Sequence, residues 1–324
     1  MIIKSDYRIP SALDGYGLLL RNKHLNDEDH RFPDRAVLFV HGATYGSSNT
    51  FDYAIDGSSW MDVLAAEGVD AWCLDLLGYG ASDRPAAMSE PAENNTPLVD
   101  TAHAVAEVDR AVSFILQERH VEQVDLIGYS WGSAICGSYA GQFPEKVGSL
   151  VLSGALWLEG LAPPDSPPSP LGAYRTVDID SMTKRWAAGL EPAAIDQIVS
   201  EAERRRWCEA TAGCDPDFQV TGVLRAPTGV MQDYNHFRGT GTDWYDPDLI
   251  QAPVQIVVGE LDRETTPEQG RRLFARLSSA AAKRYTVIGG GTHSLLLENQ
   301  RHQLYRVVSS FLKDHAVEAS DSIT

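Results

Sequence analysis

Gly128-Tyr129-Ser130-Trp131-Gly132 is the segment whose residue types and spacing most clearly imply chemistry. An apolar run at 124–127 leads into it, and a small-residue, apolar stretch at 131–142 follows. That is the strand–turn–helix setting a G-x-S-x-G nucleophile requires. Such a turn strains the serine backbone and lifts its hydroxyl above a sheet. Side chains at 128 and 132 would collide, so both positions call for glycine. Ser130 then stands at a helix N-terminus, where free N–H groups favour developing negative charge. The chemistry this implies is attack of a hydroxyl on an acyl carbon.

A serine hydroxyl needs a base. The chain has nine histidines. His293 follows the run 285–288 and the glycines 289–291, which places it at the carboxyl rim of a sheet. His236 is its rival, whereas His103, His120, His302 and His315 read as solvated helical positions. The third partner must accept a hydrogen bond from the imidazole and stabilise its protonated form. Asp262, just past the apolar run 254–258, fits best, with Glu260 and Glu159 as alternatives. The order Ser130, Asp262, His293 is the one expected of such a strand–turn–helix arrangement. An oxyanion hole needs two donors. The N–H of Trp131 is one, and that of Ala43, in the loop His41-Gly42-Ala43-Thr44-Tyr45-Gly46, is the other, with Thr44 next. His41 reads as a buried loop anchor.

These residues need a scaffold. Apolar runs at 36–40, 71–76, 124–127, 147–152, 254–258 and 285–288 are each followed by a glycine within two residues. They read as parallel strands buried on both faces. Runs near 7–9 and 17–20 read as an antiparallel edge hairpin. Helical patterns lie between them: one capped by Ser58 or Ser59 and running to 67, then 98–117, 131–142, 267–277 with Thr266 as N-cap, and 300–315. The alternation specifies an α/β fold. It lapses over 156–248, which opens on a proline-rich run at 161–170 and continues as mostly helical, polar segments such as 195–207. The expected organisation is a core from 1–155 and 249–324 with an inserted, mainly helical lid at 156–248. The tail 316–324 reads as frayed.

Matched in order, His41-Gly42, the segment 75–82, the Ser130 elbow, Gly259-Glu260-Leu261-Asp262 and Gly291-Thr292-His293 resemble the α/β-hydrolase family. The resemblance implies a mostly parallel sheet flanked by helices, an inserted lid, and hydrolysis of an ester or amide without metal or organic cofactor. Dehalogenase and epoxide-hydrolase branches look to use an aspartate nucleophile, and Ser130 argues against both. The elbow is similar to that of proline iminopeptidases, but His41-Gly42-Ala43-Thr44-Tyr45 departs from their HGGPG loop. The 41–53 segment looks like that of bacterial carboxylesterases, including monoalkyl phthalate hydrolases. The expected activity is therefore a serine carboxylesterase acting on a small-molecule ester, an aromatic acid monoester among the candidates. Rival readings are a carbon–carbon bond hydrolase or acyltransferase, or a receptor that keeps the fold without turnover.

Thr44, Trp157, Trp186, Trp207, Tyr234 and His236 are the expected substrate-binding residues. Four of the seven tryptophans lie in the inserted stretch, covering a pocket or forming the lid's own core. An acid ester would require a lid cation, from Arg175, Lys184, Arg185, Arg204, Arg205, Arg206, Arg225 or Arg238.

Composition narrows the partners. The chain has 324 residues, 43% hydrophobic and 22% charged, with a net charge of −18, so wholesale disorder is excluded. Such acidity opposes nucleic acid and anionic membranes. The oligomeric state stays open. Cys73, Cys136, Cys208 and Cys214 match no zinc or CxxC spacing, and reduced thiols are expected even for the 208/214 pair. No run is long enough to span a bilayer, and residues 1–15 lack a signal-peptide pattern. The expected location is the cytoplasm.

Overall fold

The computed structural model describes residues 1–26, 36–162 and 168–315. Residues 163–167 of the proline-rich run and the tail 316–324 lie outside these, so the readings made there stay expectations. Eight strands form the main sheet: β1 (Ile2–Pro10), β2 (Gly17–Leu25), β3 (Ala36–Val40), β4 (Asp70–Asp75), β5 (Val124–Tyr129), β6 (Val147–Ser153), β9 (Val254–Gly259) and β10 (Lys283–Ile288). Two more, β7 (Tyr174–Val177) and β8 (Leu224–Pro227), pair separately as an antiparallel ribbon. The main order is β1-β2-β4-β3-β5-β6-β9-β10. From β4 to β10 the pairing is parallel, and β1 and β2 form the antiparallel end. β1 is the edge, while β2 is interior, paired to β4 as well.

The unbroken apolar runs have their cause in the two faces of the sheet. Leu38 and Val40 of β3 join one hydrophobic cluster; Val37 and Phe39, one residue out of step, join the other. The helices Thr101–Arg119 and Trp131–Gln142 cover the first face, and Trp60–Ala66 and Arg301–Asp314 the second. Their ends follow local rules. Ser59 forms a capping box with Asp62, Thr266 another with Gln269 ahead of Pro267, and Asp100 caps the helix at 101.

The stretch between β6 and β9 differs in detail from the expectation. It contains the ribbon β7–β8, and the helical reading of 195–207 is interrupted. Val199 is extended (φ −157°, ψ 130°), and Ser200 accepts from the N–H of Glu203 to start a new helix, Glu201–Ala212. Nor does the stretch form a core of its own. Trp157 and Trp244 join the first cluster, while Met182, Trp186 and Trp207 join the second. All four cysteines are free. Among the described residues, no helix is long and apolar enough to cross a membrane.

Candidate active site

Every parallel strand delivers its carboxyl end to one rim. Ser130 follows β5 directly, Asp262 lies just past β9, His293 past β10, and His41 follows β3. Ser130 adopts φ 56° and ψ −121°, a left-handed conformation that a serine reaches only under strain. The surroundings enforce it. A β-carbon on Gly128 would overlap the backbone of Gly132, and one on Gly132 would overlap the carbonyls of Val40 and His41. Ser133 Oγ holds the turn by donating to the Ser130 carbonyl and accepting from the N–H of Leu156.

His293 Nε2 lies 3.0 Å from Ser130 Oγ, and its Nδ1 lies 2.8 Å from Asp262 Oδ2. A carboxylate only accepts, so Nδ1 carries the proton and Nε2 accepts from the serine hydroxyl. Asp262 also accepts from the N–H groups of Glu264 and Thr265 and from Thr265 Oγ1. Burial alone would raise its carboxyl pKa, but the facing imidazole and these bonds hold it below the ordinary value. Burial alone would likewise lower the His293 pKa, yet the Asp262 and Glu264 charges outweigh it and hold the ring above its ordinary value. Glu260 instead accepts from the N–H of Gly290, and Glu159 pairs with Arg276 at the surface.

The loop after β3 lies against the serine. A β-carbon on Gly42 would stand 3.0 Å from Ser130 Cβ. His41 is fully buried; its Nδ1 donates to the Gly42 carbonyl at 2.7 Å, and its Nε2 accepts from the N–H of Leu76 at 3.2 Å. Burial holds its pKa below the ordinary value, so the ring is a neutral strut. The Ala43 carbonyl accepts from Arg175 and from the Tyr79 hydroxyl. Both flanking peptides of Ala43 are thereby fixed in orientation.

The cleft over Ser130 encloses about 680 Å³, its open mouth included. Ala43, Thr44, Tyr45, Tyr129, Trp186, Trp207, Arg185, Arg263 and Glu264 contribute to its walls. Of the expected substrate-binding residues, Thr44, Trp186 and Trp207 line the cleft. Three other expected positions are corrected. Trp157 is buried against Tyr245, Tyr234 packs on the first hydrophobic cluster, and His236 is exposed on the helix Gly229–Thr240 beside Phe237. None of these three lines the cleft. His103 is half-buried, and its Nε2 bonds the buried Glu107. Of the eight candidate cations only Arg185 lines the cleft. Arg175 sits behind Thr44, Arg225 is buried against Asp215, Arg204 pairs with Asp196, and Arg238 bonds the Ala162 carbonyl.

The sequence offered no signal for Glu264. It grips Arg185 through both carboxylate oxygens, and its Oε2 lies 3.7 Å from His293 Nε2. Thr265 and Glu298 were also missed. Glu298 is buried, accepts from Thr292 beside the catalytic-position histidine, and accepts from Trp186 Nε1 at 2.9 Å. Among the described residues no three of His, Cys, Asp and Glu are grouped to hold a metal ion.

The α/β-hydrolase fold model matches residues 35–300, the span that carries the rim and all three residues. The chain belongs to the alpha/beta hydrolase fold family. A 2-hydroxymuconate semialdehyde hydrolase from Pseudomonas sp. is 30% identical over 212 residues, 59% of this chain and 67% of that one. The fold is shared by a meta-cleavage product hydrolase from Pseudomonas fluorescens (TM-score 0.62, 15% identity, 95% and 97% of the two chains). An esterase from Thermogutta terrifontis is similar too (TM-score 0.62, 14% identity, 97% and 100%). As an alpha/beta hydrolase the chain meets the expectation of fold. The relative at 30% identity is named for a semialdehyde rather than for the phthalate ester of the expectation.

Proposed function

We propose that this protein is a serine hydrolase that cleaves a carboxylic ester of a small organic acid through an acyl-enzyme. The observation that carries this reading is the continuous relay Ser130 Oγ–His293–Asp262, with bonds of 3.0 and 2.8 Å, beneath the Gly42–Ala43 loop. Ser130 Oγ attacks the ester carbonyl while its proton passes to His293 Nε2. The N–H groups of Ala43 and Trp131 face the developing oxyanion, and the alcohol leaves with the proton from Nε2. Water then attacks the acyl carbon, giving up a proton to Nε2, and Ser130 regains it as the acid departs. Asp262 stays ionised and stabilises the imidazolium. Cleavage of a nitrophenyl ester tests the reading. Ser130→Ala should lower kcat by at least about 10³-fold with the fold intact, and residual turnover near wild type would remove Ser130 from the reaction.

A second reading is favoured by the relatives, whose names describe hydrolysis of 2-hydroxymuconate semialdehyde and of meta-cleavage products. Cleavage of a carbon–carbon bond next to a ketone runs through the same acyl carbon, nucleophile and base. Assays of 2-hydroxymuconate semialdehyde beside a panel of esters separate the two. Faster turnover of the former than of every ester would assign the carbon–carbon activity.

A further inference from the structure

One cation near the cleft has no counter-charge. Arg175 stands on β7, opposite Ala226 of β8, and reaches from the ribbon to the loop over Ser130. Its Nη2 donates to the Ala43 carbonyl at 2.8 Å and to Thr44 Oγ1 at 2.7 Å, and its Nη1 donates to the Pro227 carbonyl at 3.1 Å. All three acceptors are formally neutral. Among the described residues no carboxylate lies within ion-pair distance of this guanidinium. Nor does Arg175 line the cleft, so it is not a group that substrate would touch.

A second guanidinium sharpens the imbalance. Arg185 Nη1 donates to the same Thr44 hydroxyl at 3.2 Å, so two like charges meet across one oxygen. Glu264 neutralises Arg185 through a two-point pair, and Arg175 has no such partner. Burial, with Arg185 beside it, holds the Arg175 pKa below its ordinary value, the mark of a cation whose surroundings do not offset its charge. A guanidinium still stays protonated near neutral pH. A part-buried charge of this kind costs free energy in the resting protein, and the cost falls when an opposite charge appears beside it. During acyl transfer that charge is the oxyanion, which develops against the Ala43 N–H, on the residue whose carbonyl Arg175 holds.

Resting on the ester-hydrolase reading, we infer that Arg175 is a positioning residue of the oxyanion hole, which fixes the Ala43–Thr44 turn and supplies a cation whose counter-charge exists only in the tetrahedral intermediate. It acts through Ala43 and Thr44, not on the substrate. Stabilisation confined to that state raises kcat without tightening the ground-state complex. The β7–β8 ribbon thereby gains a task in the reaction, because it carries the charge to the rim. The Tyr79 hydroxyl shares both carbonyls with the guanidinium, at 3.3 Å from Ala43 and 3.4 Å from Pro227, and braces the same turn from the core.

The test separates charge from tethering. Arg175→Lys keeps the cation, and Arg175→Gln keeps a donor without the charge. Each protein is titrated with phenylboronic acid and with benzamide. Ser130 Oγ adds to the boron while its proton passes to His293 Nε2, which leaves an anionic tetrahedral boronate in place of the intermediate; benzamide stays neutral and trigonal. Arg175→Gln should weaken the boronate about tenfold or more and benzamide less than about threefold, and should lower kcat for a neutral nitrophenyl ester about tenfold with KM within about threefold. Arg175→Lys should recover most of both losses. Equal losses on the two probes, or a lysine variant as impaired as the glutamine one, would make Arg175 a structural tie and overturn the inference, as would wild-type boronate affinity in Arg175→Gln. If the boronate pattern holds while no ester is cleaved, the ester-hydrolase reading alone fails. Absence of a boronate adduct on the wild-type protein overturns the inference, whatever esters are turned over.

Discussion

His293 has a carboxylate on each side of its ring: Asp262 at 2.8 Å from Nδ1, and Glu264 at 3.7 Å from Nε2. The second is unusual for a base, because it favours the protonated form that cannot accept from Ser130. The consequence is a pH effect of definite sign. The ring is held above its ordinary value of 6.5 by Asp262 and Glu264, against the pull of burial, so log kcat/KM for a neutral ester should rise through a midpoint above 6.5. Glu264→Gln removes one negative charge, weakens the imidazolium and should move that rise to lower pH. Profiles from about pH 5 to about pH 9 measure both. A rise that stays put in the variant would show that Glu264 does not act on the ring. Ser130, His293 and Asp262 were legible because each follows a recognisable strand with a glycine-marked end. Glu264 was not, since a charged residue in an Arg-Glu-Thr-Thr loop has the sequence signature of solvated surface.

At the scale of elements, the nucleophile depends on how closely a helix and two strands approach. Gly132 opens the helix Trp131–Gln142 directly beneath the carbonyls of Val40 and His41 at the end of β3. Gly132→Ala should destabilise the protein by at least about 2 kcal/mol, read as a lowered denaturant midpoint, because both neighbours are backbone and cannot rotate away. Activity should fall further than stability, as any relief moves the Ser130 turn or the Ala43 loop. A variant as stable as wild type would mean that β3 yields more readily than its fully buried setting implies. The helix boundaries in the core follow from capping residues visible in the chain, such as Ser59 and Thr266. The break at Val199-Ser200 is hidden in the sequence, because apolar spacing across it still matches a helix and only the Ser200 cap marks the restart.

At the scale of the molecule, the stretch between β6 and β9 is bound to the rest by buried polar ties as well as by apolar packing. Arg225 joins Asp215 through two nitrogens and donates to the Met88 carbonyl at 2.7 Å, with side-chain exposures of 9% and 0% for the pair. Asp215→Ala removes the buried two-point partner of the guanidinium, leaving only the half-exposed Asp217 at 2.7 Å from Nη2, and should cost about 2 kcal/mol or more in chemical denaturation. A loss under about 1 kcal/mol would show the stretch to be only loosely coupled. Burial alone would raise the Asp215 pKa, but Arg225 holds it below the ordinary 3.8. The pair's contribution is therefore complete above that value and lost as pH falls through the lowered one.

The local sequence determined the alternation of strands and helices, the elbow glycines and the chain order of nucleophile, acid and base. These depend on hydrophobic period and backbone sterics over a few neighbouring residues. Tertiary structure alone decided which side chains share the cleft. Trp157 and Tyr234 packed on the core while Trp186 and Trp207 came to line the cleft over the serine, and Arg185 met Glu264 across 79 residues of chain. Such meetings depend on how the excursion after β6 folds back over the rim, and an aromatic or an arginine carries no local mark of the face it will occupy.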